Sequence, residues 1–519
     1  MKKQIHAFKI SVTILMSSAS LFAAAQNYNL DSTFNSNGIK VFNFTNNIDR
    51  AFSCALQADE KLIAVGLSRN FATNTFQLSF VRINIDGSVD STFGANGFSF
   101  VSMGMQQSIG GQTPFIKIDA DGKIVAVNSG TGGSSLDMLI CRLDSNGVLD
   151  PGFNGTGVLF VDMTGAGTQP DLATAFDFDS ARNIYVIGST RTGSSPLDNN
   201  FAVVKITPSG QLDLSFNNTG KKLFNPLSGS EFGRGIVVQS ANEIVFGGNG
   251  GGNFYFTRID STGTVDPTFG TAGAAIIGFA GFADMYTMDI DNNGRIVAAG
   301  SFSSTTEDAA VCRLLPTGLP DNTFGTNGKA GFNFINGDDF IRTMIILNDN
   351  KILLGGSITN TATGQNFLIA RIDTDGTKDL TFNTTGFYTK SITNTNADDE
   401  GNGMAVMNDG RIVMCGTAVL SSAVNEDLAF MRIKPLAVNT SVTEHNANAT
   451  PGVYPNPCND FITIKSLKQS EATLLDIEGR VVATFKLDAG NNSINMGGYV
   501  SGIYFLKINN GVVTRITKI

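Results

Sequence analysis

The chain has 519 residues, a formal net charge of -9 and no tryptophan. Only 16% of its residues are charged while glycine numbers 58, which excludes a helical or disordered chain and points to many short strands joined by tight turns. An acidic balance without a basic stripe excludes nucleic acid as a partner, because phosphates are held by clustered Lys and Arg.

In chain order, residues 1–25 read as a signal peptide. Lys2, Lys3 and Lys9 are followed by the apolar Ile10–Phe22 and by Ala23-Ala24-Ala25 as a cleavage site, so a mature start near Gln26 is expected. No later stretch is long and apolar enough for a membrane-spanning helix.

From Leu30 onward one fragment recurs. It reads LDSTF ending at Phe34, then returns in variants ending at Phe93, Phe153, Phe216, Phe269, Phe324 and Phe382, at intervals of 59, 60, 63, 53, 55 and 58 residues. A period of this size marks one supersecondary unit copied and stacked. Each copy carries four strand-like runs: in the first, Ile39–Phe44, Phe52–Gln57, Leu62–Val65 and Leu78–Ile83. Tight turns such as Asp121-Gly122, Asn292-Asn293-Gly294 and Asn408-Asp409-Gly410 split the second and third runs, with residues that tolerate positive φ. The third run is continuous and apolar (KLIAV from Lys61, KIVAV from Lys123, RIVAA from Arg295), as for strands buried on both faces. Four-stranded sheets with two apolar faces must stack, and stacking them radially makes a β-propeller. The expectation is an all-β chain with a seven-bladed propeller over 26–435; an open array of β-domains is the rival. The absence of Trp sets it apart from WD40 repeats.

Taken in order, the (L/V)D.(T/S)F segment, DGKI.A.G (Asp121–Val127, Asp409–Cys415) and FxxxRI..DG (Asp137–Gly147, Asp427–Ile433) resemble the delta-60 repeat family. The resemblance covers all seven units and implies a propeller; it implies no activity.

Candidate chemistry is sparse. The two histidines, His6 and His445, fall in the signal peptide and the linker, so the propeller has none. His-dependent triads and His-ligated metals are excluded there. The five cysteines show no disulfide or zinc spacing; Cys54 and Cys415, in the first and last units, are where a bridge would staple a closed ring. Gly247–Gly252 reads as a loop between strands, not a phosphate cradle. Acids remain. Seven positions before the last apolar residue of the second run stand Asp49, Asp171, Glu231 and Glu400; Asp284 and Asp339 are one place off register, and the second unit has Gly111. Such a ring would suit a cation with oxygen ligands, such as calcium. The structural reading has each acid satisfy local amides or pair with the recurrent cation of the fourth run (Arg82, Arg142, Lys205, Arg258, Arg313, Arg371, Arg432). No other cofactor is expected. The variable loops Arg69–Thr75, Ser189–Asn200, Phe302–Asp308, Ser357–Asn366 and Ser421–Asp427 are where binding residues tend to sit on a rigid scaffold, and Phe71 and Phe302 are the aromatic residues left for sugar stacking.

After a polar linker at 436–450 the pattern changes. Tyr454-Pro455-Asn456-Pro457, alternating Phe461, Ile462 and Ile464, the Asp476–Arg480 turn and Ser501–Ile508 suggest a small β-sandwich over 451–519. The YPNP opening, the turn with Gly479, the SGIYFLKI strand with Gly502 and Tyr504, and the basic end Arg515–Lys518 are similar to the C-terminal sorting domain of the type IX secretion system of Gram-negative bacteria. That resemblance implies export by the type IX machinery and a secreted or cell-surface location, with Tyr454, Pro455, Asn456, Pro457, Gly479, Gly502 and Tyr504 serving folding and recognition by that machinery. The function expected is a binding or interaction module for an extracellular glycan or protein. An extracellular His-independent hydrolase or lyase is the alternative, since paired carboxylates suffice for acid–base work; a structural surface component is the third reading. An enzyme would show one asymmetric cluster of unlike polar residues.

Overall fold

The computed structural model describes residues 26–42, 49–70, 73, 75–105, 113–132, 135–165, 169–192, 199–227, 229–240, 243–303, 305–360, 363–393, 397–419, 426–436, 453–466, 468–477, 479–508 and 512–519. The signal peptide, residues 437–450 of the linker, both histidines, Phe71 and Gly111 lie outside them. All regular elements among the described residues are β-strands, and the chain divides into two compact units at Leu436/Ala437.

The first unit holds seven sheets. Six are four-stranded meanders, as in Arg50–Leu56, Leu62–Asn70, Thr75–Ile83 and Phe98–Met105, paired in that order. The innermost strands of the next five are Phe115–Ile118, Asp171–Phe178, Glu231–Ser240, Phe282–Ile290 and Asp339–Ile346. The seventh sheet joins Glu400–Val406, Ile412–Val419 and Glu426–Pro435 to the N-terminal Ile39–Phe42, with Tyr28–Leu30 pairing alongside on Glu426–Pro435. The sequence unit is therefore offset from the sheet by one strand: the first run of each copy is the outer strand of the preceding sheet, and the chain's own start completes its last sheet. Apolar packing continues across this closure, where Ala51, Cys54 and Ala64 share one core with Val413, Cys415 and Phe430. The middle strands are largely buried, as their unbroken apolar runs predict; Ile124–Gly130 and Asn199–Ile206 have no exposed residue.

The recurrent LDSTF segment is explained by one arrangement made seven times. The strand-three cation meets the segment's Asp: Arg82–Asp90 at 2.8 Å, Arg142–Asp150 at 2.9 Å, Lys205–Asp213 at 2.8 Å, Arg258–Asp266 at 2.6 Å, Arg313–Asp321 at 2.8 Å, Arg371–Asp379 at 2.6 Å and Arg432–Asp31 at 2.8 Å. The other oxygen of that Asp accepts the amide two residues on, as from Thr323 to Asp321 at 3.0 Å. Six of these cations also lie over the segment's Phe, with Arg313 4.7 Å from the Phe324 centroid; Lys205 lies over Tyr185 instead. Arg313 then donates to Thr374 O at 2.6 Å in the next sheet's turn, and the backbone follows, Gly325 N to Asp375 O at 2.7 Å. The last such backbone bond, Asn383 N to Gln26 O at 3.2 Å, returns to the start of the described chain. The cations of the fourth sequence run thus pair with the LDSTF acids; none pairs with the acids of the expected ring.

The turn residues behave as predicted: Gly122 and Gly294 have φ of 75° and 74°, and Asn350 reaches 62°. Gly247–Gly250 differ from expectation. They belong to the strand Glu243–Gly250, and the turn is Gly251-Gly252. The reason lies in the inner strands, six of which bulge at one position, between Ala51/Ser53, Ala173/Ala175, Gly233/Gly235, Met285/Thr287, Ile341/Thr343 and Gly401/Gly403. The bulge drives a carbonyl into the second strand. A Cβ on Gly188 would lie 1.6 Å from Leu172 O, and one on Gly248 1.9 Å from Phe232 O. The second sheet has Pro114 ahead of its short inner strand, shows no bulge there, and carries Asn128 where the others have this glycine.

The second unit is a sandwich of a three-stranded sheet (Val453–Tyr454, Phe461–Ser466, Gly490–Asn495) and a four-stranded one (Val481–Leu487, Ser470–Leu475, Gly502–Ile508, Val512–Lys518) around Ile462, Leu474, Leu506 and Ile516. Asn456 of the YPNP segment pairs with the last strand like a backbone group: its Nδ2 donates to Arg515 O at 2.6 Å and its Oδ1 accepts from Thr517 N at 2.8 Å. Gly479 turns the hairpin at φ 78°, Gly502 pairs with Lys518, and Tyr504 Oη donates to Val500 O at 2.8 Å.

Candidate functional site

The acids before the inner strands occupy a defined place, three residues ahead of the bulge. Asp49, Asp171, Glu231 and Asp339 are there and fully buried. Asp339 is thus in register. Asp284 and Glu400 are not: the equivalent positions are Ala283 and Asp399, one residue earlier, because the bulges at Tyr286 and Asn402 set the count. Asp399 is buried while Glu400 is exposed.

Four of the buried acids do the same work. One carboxylate oxygen accepts an amide from the segment entering the sheet: Met163 N to Asp171 at 2.7 Å, Leu227 N to Glu231 at 3.2 Å, Phe334 N to Asp339 at 2.9 Å and Ile392 N to Asp399 at 2.7 Å. This is the local-amide role of the structural reading. Burial pushes the Asp171 carboxyl up to about 6 and that of Asp339 to about 7, against those amides. Burial, with Asp49 beside it, takes Asp427 up to about 6.

One boundary between sheets departs from the pattern. Asp137, Asp162 and Asp171 bring three carboxylates within 4.8 Å of one another. At the matching positions elsewhere stand Asp308, Asn333 and Asp339, where Asn333 Nδ2 donates to Asp308 at 2.8 Å, and Asn366, Ser391 and Asp399, where Ser391 Oγ donates to Asp399 at 3.2 Å. The three aspartates have oxygens alone, the ligand type of a hard divalent cation.

The axis of the first unit is different in kind. The bulge residues and their neighbours from all seven inner strands line a cavity of about 210 Å³. At the bulge positions the residues are Phe52, Pro114, Thr174, Arg234, Tyr286, Arg342 and Asn402. Thr174 is satisfied by Ile187 O and Gly233 O at 3.1 and 2.8 Å, and Asn402 by Ala51 O at 3.0 Å. Arg234, Tyr286 and Arg342 sit on three consecutive sheets. The Arg342 and Arg234 guanidinium carbons lie 4.4 and 5.2 Å from the Tyr286 ring centroid. Arg234 Nε is buried without a hydrogen-bond partner. Burial, with repulsion from Arg342, holds the Arg234 guanidinium below its usual range against the pull of Tyr286 and Asp284. Toward one end of the cavity Lys117 pairs with Asp177 at 2.7 Å, and the solvent-exposed Asp289 also lines the cavity. This is the asymmetric set of unlike polar residues that the sequence did not reveal. Aligning the seven inner strands on the bulge column would have found it.

The remaining expectations divide. Cys54 and Cys415 are neighbours across the ring closure but both thiols are free, and the hydrogen bond to Cys415, then burial, hold Cys54 well above the usual thiol range. Phe302 is packed, stacked on Phe279 at 5.4 Å, instead of presented for sugar stacking. Most tips of the variable loops lie outside the described residues. No described helix is long and apolar enough to cross a membrane.

Residues 452–519 match the family described as the secretion system C-terminal sorting domain. Segments 57–93, 120–153, 292–324 and 347–382 match the family described as a domain of unknown function (DUF5122) beta-propeller. No curated protein matches the chain. Similar solved structures include virginiamycin B lyase from Staphylococcus aureus, 12% identical over 76% of this chain and 98% of that one, with a TM-score of 0.41. A PL25 ulvan lyase is 10% identical over 75% of this chain and 95% of that one, with a TM-score of 0.44. The β-propeller domain of the trilobed protease from Pyrococcus furiosus is 10% identical over 78% of this chain and all (100%) of that one, with a TM-score of 0.40. At these identities and scores the likenesses say nothing of activity. The first unit is thus a β-propeller, four segments of which match the DUF5122 propeller family, and the sorting domain at residues 452–519 makes this a secreted or cell-surface-attached protein.

Proposed function

We propose that this exported propeller is a binding module whose ligand enters the axial cavity. The observation that carries the reading is the break in repetition there. Every sheet has the same ion pair at its LDSTF segment, whereas Arg234, Tyr286 and Arg342 have no counterparts at the bulges of the other four sheets. A residue present in every repeat solves a problem every repeat has; a polar set present once, facing a cavity, is free to serve a ligand. Because this set is two arginines and a tyrosine instead of the paired carboxylates of the hydrolase alternative, binding is the reading preferred over catalysis. The second unit supplies export through the secretion machinery.

The test is a panel of extracellular glycans and matrix proteins offered to the labelled full chain and to the Arg234→Gln/Arg342→Gln variant. Saturable binding by the wild type, lost in the variant, is expected. Equal binding by both would contradict the cavity as the site. The expectation of calcium reduces to Asp137, Asp162 and Asp171. On the structural reading of the acids, calcium added to chelator-treated protein leaves the melting midpoint of the wild type and of Asp171→Asn unchanged. A rise confined to the wild type would put a cation on that trio.

A further inference from the structure

Resting on the cavity reading, we infer that the ligand is a hydroxylated organic carboxylate of about the size of one acidic sugar. Two guanidiniums lie over one tyrosine ring, so their charges are at most about 10 Å apart. Neither has a hydrogen bond or ion pair to any described residue, and Arg234 Nε is buried with its proton unused. Both arginines are half-buried, and a buried donor such as this Nε left unmade is costly. Asp284 draws both arginines electrostatically but comes within 4 Å of neither, and burial raises its own carboxyl. An oxyanion in the cavity supplies the acceptor that the fold omits, and guanidinium is the side chain that meets a carboxylate with two parallel donors. The Tyr286 hydroxyl adds a neutral donor.

The rest of the cavity selects the remainder of the ligand. Lys117 is already paired with Asp177, so it is not a second anion site. One oxygen of Asp289 accepts the Ile290 amide at 2.8 Å, and the other is left for a ligand hydroxyl. Phe52, Phe115 and Phe176 line the walls with apolar surface. A volume of about 210 Å³ holds one small molecule or one residue of a chain, below the roughly 300–1,000 Å³ of pockets for drug-sized ligands.

The experiment uses the full chain labelled with 3-fluorotyrosine, whose Tyr286 resonance is assigned by Tyr286→Phe, titrated with glucuronate, glucose and inorganic sulfate alongside calorimetry. Glucuronate is expected to shift that resonance saturably and glucose to bind at least about 10-fold more weakly. Arg342→Gln should weaken glucuronate by about 10-fold or more, with Arg342→Lys intermediate. Sulfate binding as tightly as glucuronate would overturn the hydroxylated carboxylate in favour of a bare oxyanion. Glucose matching glucuronate at Tyr286, with Arg342→Gln without effect, would overturn the charge argument and leave the cavity as the site. Heat on titration with the Tyr286 resonance unmoved would overturn the cavity reading itself. No response to glucuronate by either method overturns the inference.

Discussion

The rim of the first unit and its axis are built by opposite rules. At the rim, a cation on the third strand, an Asp and usually a Phe are repeated seven times with ion-pair distances between 2.6 and 2.9 Å. At the axis, seven equivalent bulge positions hold Phe, Pro, Thr, Arg, Tyr, Arg and Asn. The rim closes each sheet onto the next and is satisfied in itself. The axis leaves guanidinium donors unmade. Repetition marks what holds the ring; on the proposed function, its failure marks the ligand site.

The comparison breaks most visibly at the rim. Arg313 and Asp321 are both buried, so Arg313→Ala or Asp321→Ala strands a buried charge and should cost about 3–5 kcal/mol in urea unfolding. Arg342→Gln, at the axis, should change stability by less than about 1 kcal/mol. Equal losses at the two places would erase the distinction. Next in size is Gly188→Ala. Its Cβ would meet Leu172 O at 1.6 Å, and the strain should cost about 1–3 kcal/mol. Asn128→Ala, in the sheet without a bulge, creates no such clash.

Acidity sharpens the comparison further. Against burial, hydrogen bonds from Thr33 and the charge of Arg432 bring Asp31 to about 2; against burial again, Lys351, Thr381 and Arg371 do the same for Asp379. Those carboxylates stabilise the fold above about pH 4, and that contribution is lost as pH falls toward about 2. Asp171, Asp339 and Asp427 are raised, to about 6, 7 and 6. The folded state keeps their protons longer than the unfolded state does, so stability falls as pH rises from about 4 through 7. The melting midpoint should therefore peak near about pH 4–5. Asp171→Asn should flatten the fall between about pH 4 and 6 and raise the midpoint at about pH 7.5. An unchanged slope would count against this assignment of the proton.

Much of the fold was legible from the chain because its signals are local and repeated. The Phe spacing, the Asp-Gly turns and the apolar third runs each report a short segment's own needs. The phase of the unit was not, since whether Ile39–Phe42 closes its own sheet or the last one is decided by ring closure, not by any neighbouring residue. The acids show how a one-residue error in the anchor misleads: counting back from Met407 reaches Glu400, whereas the strand pairing ends on Val406 and places Asp399 in the column. Arg234, Tyr286 and Arg342 were missed for a related reason. Each is one irregular residue in the least regular run, and only the closed ring brings them around one cavity.

The most direct measurement is a crystal structure of the full chain soaked in bromide and read by anomalous scattering. The expected result is a peak in the axial cavity beside Arg234 and Arg342, absent in Arg234→Gln/Arg342→Gln. Bromide confined to surface lysines, with the axial cavity empty, would contradict the claim that the axis is an anion-binding site.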